Sequence, residues 1–335
     1  MNIENEEELS LYLEKQLLLS RKELKGCRIL PGGVSNRTVL VEQHNGNCWV
    51  VKQALSKLKV QVDWFCDPAR IHQEADGIRF LSRHAPKANV PELWFEDKER
   101  YLLGMKAVKE PHQVWKSQLL SGEINMDAVK KFADMLVSIQ AFGPGIPDIP
   151  DSFANKTYFE ALRLEPYYGY AATQLPKARN FLLELMESTR SKRKCLVHGD
   201  FSPKNVLVQG DTLHLIDHEV IHLGDDAFDL GFSLTHFLAK ALHMPEKRIS
   251  FRDACHLFVQ RLLDGMNRNQ KPSDIEESWI RHTLGCLLAR VRGRSPLEYL
   301  NDSDKEQISL NAQECIEHLP ADIHLLIDRI IWNKK

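Results

Sequence analysis

The spacing of apolar residues predicts a chain that changes from strands to helices after its first third. Leucines near helical spacing predict an amphipathic helix within residues 6–24. Apolar and β-branched runs predict strands at 38–41, 49–52, 91–95 and 101–105, and the pair Asn45 and Gly46 predicts a tight hairpin turn between the first two. Helical periodicity then predicts helices at 68–84, 129–141, 177–189, 230–242, 275–292 and 321–332.

These elements predict an α+β protein of two lobes, a small antiparallel sheet followed by a larger, mainly helical part. We expect the boundary near residues 105–109, which gives an N-terminal lobe over 1–108 and a C-terminal lobe over 109–335. The cleft between two such lobes is the usual place for a ligand.

Composition narrows the class of protein. The 44 Lys and Arg residues against 46 Asp and Glu give a formal net charge of -2, which argues against a nucleic-acid binder. The seven cysteines are scattered without a C-x-x-C pair, which argues against a disulfide scaffold or a structural zinc site. The acidic start does not resemble a secretory signal, and apolar runs are too short to span a membrane. We expect a cytoplasmic protein, either a monomer or a homodimer.

The segment from His198 to Glu219 carries the candidate chemistry. Apolar runs around a Gly-Asp turn predict a β-hairpin over 206–216, which brings Asn205 at its entrance close to Asp217 at its exit. Carboxylate and amide oxygens suit Mg²⁺, and a hydroxyl nucleophile needs a carboxylate to accept its proton. We therefore predict Asp200 as the base, with Asn205, Asp217 and also Glu219 as magnesium ligands, an arrangement typical of phosphoryl transfer.

The motif His198-Gly199-Asp200-x4-Asn205, followed by Asp217, resembles the catalytic loop of the aminoglycoside phosphotransferase/choline kinase superfamily, which shares the protein-kinase fold. That resemblance implies ATP and Mg²⁺ as cofactors and a small-molecule hydroxyl as substrate. It also implies nucleotide-binding roles for eight further residues. Lys52 would bind the phosphates, with Glu74 as its ion-pair partner. The loop that covers the phosphates would contain Gly32, Gly33, Ser35 and Asn36, and the linker that contacts adenine would contain Met105 and Ala107.

Within that superfamily the chain looks most like the 5-methylthioribose kinase family. The segments 51–55 and 69–74 resemble its lysine strand and following helix, and Asp217-x-Glu219 resembles its metal segment. The chain departs from that family at Asn205 and at His218. The resemblance implies a sugar-like substrate; aminoglycoside or choline-type kinases and a catalytically silent nucleotide-binding protein are the alternatives.

Five residues are candidates for substrate contact, each with a structural alternative. Asp226 alternatively caps a helix, and the arginines near a helix end alternatively stabilise that end. The five are His218, Asp226, Arg290, Arg292 and Trp115. A further alternative is a metal-dependent hydrolase that binds a soft metal through His214, His218 and His222, which recur every four residues.

Overall fold

Five antiparallel strands form the sheet of the N-terminal part. A computed structural model describes residues 1–31, 33–60, 63–265 and 272–332. The strands are β1 (Leu24–Ile29), β2 (Asn36–Gln43), β3 (Cys48–Ala54), β4 (Leu93–Asp97) and β5 (Leu102–Lys106). Their order in the sheet is β1-β2-β3-β5-β4. Lys52 therefore lies near the end of β3, the strand that the sequence predicts at 49–52.

Two helices cover opposite faces of this sheet because side chains alternate along each strand. Helix α1 (Glu6–Lys15) packs Leu9 and Leu13 on the face that carries Val51. Helix α2 (Arg70–His84) packs on the other face. Lys52 follows Val51, so its side chain points to the α2 face. Helix α1 is shorter than predicted, because the chain turns at Leu17 with a left-handed φ of 57°.

After β5 the described chain is mainly helical. The longer helices are α4 (Met126–Gln140), α7 (Arg179–Ser191), α8 (Ala227–His243), α9 (Arg248–Gly265), α10 (Pro272–Arg292), α11 (Asp302–Glu317) and α12 (Ile323–Trp332). The shorter ones are α3 (Trp115–Leu120), α5 (Thr157–Phe159) and α6 (Tyr170–Gln174), the last two joined by a π-helical segment, Glu160–Gly169. Helix α8 lies at the centre, buried along almost its whole length between α9 and α10.

The predicted α+β class is confirmed, and so are five of the predicted helices beyond the sheet. The sequence did not single out α9, α11 or the π-helical segment. The division at residues 108 and 109 stays a prediction. None of the helices in the described ranges is both long and apolar enough to cross a membrane.

Short strands hold the segment that carries the candidate chemistry. Strands β8 (Val206–Gln209) and β9 (Thr212–Leu215) form the predicted hairpin, and β6 (Gln113–Val114) pairs with β8. Strand β7 (Cys195–Val197) pairs with β10 (His222–Gly224) and leads directly into the loop at His198. The loop that follows β7 is thus anchored by a strand pair on one side and a hairpin on the other.

Asp229 on the first turn of α8 holds this loop from below. Its carboxylate accepts the backbone N–H of His198 at 2.7 Å and that of Gly199 at 2.8 Å. Gly199 has a left-handed φ of 79°, and a Cβ there would come within 2.8 Å of Val220, so the tight turn requires glycine. Burial raises the pKa of Asp229 to about 7 although both amides favour its charged form.

Trp115, a candidate substrate residue, lies in the core instead. It is 1% exposed and packs edge to face on Phe132 and Phe237, at ring-centroid distances of 4.9 and 5.7 Å. This burial gives no support to the predicted contact of Trp115 with substrate. The sequence around Trp115, seven residues after the predicted N-terminal lobe, does not indicate whether the ring faces the core or the cleft.

We expect Trp115→Ala to lower the free energy of unfolding by about 3–5 kcal/mol, because it leaves a large cavity in the core. Denaturant titration measures this. Trp332→Ala is the matched control, since Trp332 is 37% exposed and should cost much less. An unchanged unfolding free energy for Trp115→Ala would contradict the core assignment.

The raised pKa of Asp229 sets a pH dependence of stability. In the folded protein this carboxyl holds its proton up to about pH 7, whereas its ordinary pKa is 3.8. The folded state therefore binds more protons than the unfolded state between these values, and stability contributed by Asp229 falls as the pH rises through this window.

We expect the parent to lose stability relative to Asp229→Asn as the pH rises from about 4 to 7. Above that range the difference in unfolding free energy should stay constant. Urea titrations at several pH values measure the difference. Asp211→Asn, at an exposed turn, should leave the pH profile unchanged. A pH-independent difference for Asp229→Asn would overturn the raised pKa.

Candidate active site

Lys52 lies between two carboxylates that come from distant parts of the chain. Its Nζ is 2.6 Å from Glu74 Oε1 on α2 and 3.0 Å from Asp217 Oδ1, which follows β9. Lys52 and Glu74 are buried, and Asp217 is partly exposed. The structure therefore brings the predicted lysine, its predicted partner and a predicted metal ligand into one ionic group, which we call the ion triad.

The ion triad shifts the pKa values of its members. Burial alone would lower the pKa of Lys52, but Asp217 and Glu74 outweigh burial and raise that pKa above its ordinary value. Burial alone would raise the pKa of Asp217, but Lys52 and Lys204 outweigh it and hold the pKa well below its usual range. Both groups are consequently charged at neutral pH.

The β8–β9 hairpin places Asn205 beside the Asp217 segment, as the sequence predicts. Val206 pairs with Leu215, and the next residue, Ile216, donates its backbone N–H to the carbonyl of Asn205 at 3.0 Å. Asp217 follows with a left-handed φ of 71°, a region that few residues other than glycine adopt. This turn lets the Asp217 side chain reach Lys52.

Asp200 lies buried in a network of donors. Arg163 Nη2 is 2.9 Å from its Oδ2, Lys204 Nζ is 3.3 Å away, and Asn205 Nδ2 donates to the same oxygen at 2.7 Å. Burial would raise the pKa of Asp200, but Arg163 and then Lys204 outweigh it and lower that pKa. Asp200 is therefore held ionised and in a fixed orientation.

Arg163 is the site residue that sequence reasoning missed. It comes from the π-helical segment, is buried, and donates its Nε–H to the carbonyl of Gly199 at 2.9 Å as well as pairing with Asp200. An arginine 37 positions before the carboxylate, on a helix with irregular periodicity, carried no sequence signal that would have identified it.

The loop before β2 is tied to the metal segment through Arg70. Arg70 Nε is 3.0 Å from Glu219 Oε2, and Arg70 also donates to the carbonyl of Ser35. Asn36 Nδ2 donates to the same Glu219 oxygen at 3.3 Å and to Ser35 Oγ at 3.1 Å. Glu219 thus lies in an ion pair with Arg70, another residue without an assigned role in the sequence.

Of the two glycines in the predicted phosphate-covering loop, the structure describes Gly33. Gly32 lies outside the described residues. At Gly33 a Cβ would meet the nearest atom, the carbonyl oxygen of Asn36, at an ordinary 3.6 Å. The geometry at Gly33 alone therefore does not require glycine.

The predicted adenine-reading linker continues the sheet. Met105 is buried and pairs with Val50 in the β3–β5 register. The backbone N–H of Ala107 already donates to the carbonyl of Cys48 at 3.0 Å. This amide is therefore committed within the sheet and not free for a ligand.

The structure brings none of the other candidate substrate residues into contact with Asp200. His218 is buried between His198 and the Gly77 position of α2, so it faces away from the cleft. Asp226 pairs with Lys194 at 3.1 Å, next to the opposite end of β7 from His198. These contacts give no support to the predicted substrate roles of His218 and Asp226, because strand β7 and helix α2 direct both side chains elsewhere.

The two candidate arginines of α10 differ sharply. Arg292 is partly exposed and pairs with Glu306, so it stabilises the packing of α10 and α11 rather than a site. Arg290 is buried and donates to Tyr167 Oη at 3.1 Å and to Ser295 Oγ at 3.0 Å. Of the two, only Arg290 lies near the network of Asp200, since Tyr167 also packs on Arg163.

The donor set fits Mg²⁺ and not a soft metal. Asn205 Nδ2 donates to Asp200, so its Oδ1 remains as an acceptor, and the backbone contact between Ile216 and Asn205 keeps the charged Asp217 in the neighbouring segment. Magnesium needs only one or two such protein oxygens together with phosphate oxygens. Within the described residues no three His, Cys, Asp or Glu side chains form a metal-binding group, and the histidine alternative is therefore not supported. His214 lies in β9 beside Asn89, and His222 bonds the carbonyl of Val220.

Comparison with known proteins agrees with this geometry. A curated methylthioribose kinase from Enterobacter sp. (strain 638) is 24% identical over 266 residues, which cover 69% of this chain and 61% of that kinase. The match thus spans less than two thirds of the relative's length.

Two solved structures share the fold. Choline kinase from Cryptosporidium parvum Iowa II has a TM-score of 0.54 at 13% identity, covering 93% of this chain and 96% of that protein. The streptomycin–ATP ternary complex of APH(2")-IIa has a TM-score of 0.52 at 15% identity, covering 99% of both chains.

The family model described as the phosphotransferase enzyme family (APH) matches residues 26–255, more than half of the chain. This range contains the ion triad, Asp200 and Asn205. The predicted family is confirmed: the chain belongs to the phosphotransferase enzyme family.

Proposed function

We propose that the protein transfers the γ-phosphoryl group of ATP, with Mg²⁺, to a hydroxyl of a small molecule, in the first place a sugar-like metabolite. The observation that carries this proposal is that the β8–β9 hairpin joins two contacting pairs, Lys52 with Asp217 and Asp200 with Asn205. These are a cation for phosphate, two oxygen donors for a metal, and a carboxylate for a proton.

The activities named for the similar proteins support this class of reaction. These proteins are a methylthioribose kinase, a choline kinase and an aminoglycoside phosphotransferase seen with streptomycin and ATP. Their acceptors differ while the fold is shared, so the fold by itself does not select the acceptor. We place the two lobes at 1–108 and 109–335, with the nucleotide between them.

Lys52 is the residue that we assign to the α- and β-phosphates, and Glu74 holds it in place. Because Lys52 is buried and paired on both sides, its ammonium is fixed before a nucleotide arrives. We assign Ser35 and Asn36 to the loop over the phosphates. We assign Met105 to the linker beside adenine. Carbonyl groups of this linker would bind the base, because the Ala107 N–H already donates to the carbonyl of Cys48.

Asp217 and Asn205 are the residues that we assign to magnesium. When bound, the magnesium-nucleotide supplies an activated γ-phosphoryl group with its charge neutralised. Glu219 has its Oε2 engaged by Arg70 and Asn36, so we assign it first to anchoring the phosphate loop.

Asp200 is the residue that we assign to the acceptor hydroxyl. As the acceptor oxygen bonds to the γ-phosphorus and the bond to the β–γ bridging oxygen breaks, the hydroxyl proton passes to Asp200 and ADP leaves. Its lowered pKa keeps Asp200 ionised and ready to orient the hydroxyl, with proton transfer late in the reaction. Arg163 is a positioning residue, since it holds Asp200 and the Gly199 carbonyl together.

The test of the proposal is a coupled assay of ADP release against sugars, amino alcohols and aminoglycosides. We expect a sugar-like alcohol to accelerate ADP release only with Mg²⁺ present. ATP binding without acceleration by any alcohol in the panel would contradict phosphotransferase activity and favour a nucleotide-binding role.

We expect Asp200→Asn to lower kcat by about 10²–10⁴-fold, because the amide cannot accept the hydroxyl proton. Binding of Mg-ATP, measured by calorimetry, should change little. Asp211→Asn is the matched control, since it removes an exposed carboxylate from the same acid-rich segment. Unimpaired turnover in Asp200→Asn would remove the assignment.

We expect Asp217→Asn to weaken nucleotide binding in the presence of Mg²⁺ and to have a much smaller effect in EDTA. The lost interaction is between a carboxylate and the metal, worth several kcal/mol when a metal bridges protein and phosphate. Asp226→Asn, which removes a carboxylate paired with Lys194, is the control. Equal losses with and without Mg²⁺ would refute the metal role.

A further inference from the structure

Five side chains with hydrogen-bond donors, three of them buried and two partly exposed, form a group that the proposed phosphoryl transfer does not use. They are Lys116 of α3, His236 and Lys240 of α8, Arg290 of α10 and Tyr299 of the segment after α10, and we call them the cationic cluster. Lys240 Nζ lies 5.1 Å and Lys116 Nζ 5.8 Å from the centroid of the Tyr299 ring. Arg290 joins the cluster through Ser295, which precedes Tyr299 on the same segment.

Several polar atoms of the cationic cluster are buried without a hydrogen-bond partner among the described residues. These atoms are Arg290 Nε, both ring nitrogens of His236 and Tyr299 Oη. Lys240 is 0% exposed, and its ammonium donates to the carbonyl of His236, one turn earlier in the same helix, at 3.1 Å. Since an arginine, a lysine, a tyrosine and a histidine all offer N–H or O–H groups here, the complementary ligand is a hydrogen-bond acceptor.

The cationic cluster also carries more positive than negative charge. Glu298 pairs with Lys116, and in the ranges that the structure describes no ion pair joins a carboxylate to Lys240 or Arg290. Burial and the nearby Lys116 lower the pKa of Lys240 to about 7. A buried ammonium without a counter-charge is costly, and an anion at this place would relieve that cost.

The cationic cluster is linked to the proposed base by two side chains. Arg290 Nη1 donates to Tyr167 Oη at 3.1 Å, and the Tyr167 ring lies 5.7 Å from the guanidinium of Arg163. Arg163 in turn is 2.9 Å from Asp200. Tyr167 and Arg163 thus connect the cationic cluster to Asp200 on the same side of the helical part.

We propose that the cationic cluster binds an anionic group, a carboxylate or a phosphate, on the alcohol that this protein phosphorylates. The inference rests on the proposed function and deepens it by naming the acceptor class. Polycationic acceptors would be repelled by Lys116, Lys240 and Arg290, whereas neutral sugars would leave the donors unpaired.

Glu298 is the residue that an incoming anion would compete with. Its side chain is 65% exposed while it contacts Lys116, so it can swing into solvent. Removing its charge should therefore strengthen anion binding, whereas removing Lys240 or Arg290 should weaken it. Opposite effects from neighbouring positions are not expected of a purely structural cluster.

The first experiment is calorimetric titration of the full chain with inorganic phosphate and, separately, acetate, at constant ionic strength in chloride. Saturating ADP and Mg²⁺ are present so that the nucleotide site is filled. We expect saturable binding of at least one anion, and the stronger of the two identifies the group as phosphate or carboxylate.

The variants locate the bound anion. Lys240→Met and Arg290→Gln should each weaken binding by about tenfold or more, and Glu298→Gln should strengthen it, since each tenfold is about 1.4 kcal/mol. Arg292→Gln is the matched control on the same helix, because Arg292 pairs with Glu306 outside the cluster. Thermal melting checks that Lys240→Met and Arg290→Gln are folded.

Two results would overturn the proposal. One is the absence of saturable binding of both anions to the parent protein. The other is binding that persists in Lys240→Met but is lost in Lys52→Met, which would assign the anion to the nucleotide site. Because this titration requires no turnover, its failure is distinct from a failure of phosphotransferase activity.

The second experiment compares matched acceptors, ribose with ribose 5-phosphate and glucose with gluconate, in the coupled assay. We expect the anionic member to have the higher kcat/KM, and Lys240→Met to raise its KM while leaving the KM for ATP unchanged. Turnover of a neutral or cationic alcohol that is unaffected by Lys240→Met would contradict the inference.

Discussion

The buried contact of Lys52 with Glu74 and Asp217 is the interaction on which the remaining arrangement depends. It joins a strand of the sheet, the helix that follows, and the segment after the β8–β9 hairpin. Charges taken out of water are tolerated when each has an opposite partner close by, and removal of one leaves the others uncompensated. The two parts of the chain are therefore held in one relative position by ions that also form the proposed nucleotide site.

A second layer of contacts fixes the groups around that triad. Arg70 connects the loop at Ser35 to Glu219, and Arg163 connects the carbonyl of Gly199 to Asp200. Each arginine makes both a main-chain contact and an ion pair, so a side chain and a loop are positioned together. Such fixed groups reduce the reorganisation that a charged transition state would otherwise require.

Much of this site was predictable from the sequence because its parts follow local rules. The apolar strands of the β8–β9 hairpin bring Asn205 and Asp217 together, and the alternation of side chains along β3 turns Lys52 toward Glu74. Three side-chain positions could not be predicted from the sequence, and they share a physical cause. Trp115, His218 and Arg163 owe their positions to the packing of elements far apart in the chain, and neither composition nor periodicity encodes which neighbour a side chain meets.

The most direct measurement is a crystal structure of the protein with Mg²⁺ and a non-hydrolysable ATP analogue. We expect Lys52 Nζ to contact the α- or β-phosphate, oxygens of Asp217 and Asn205 to bind the metal, and Asp200 to face the γ-phosphate across open space. A nucleotide bound elsewhere, or a metal without Asp217 among its ligands, would contradict it.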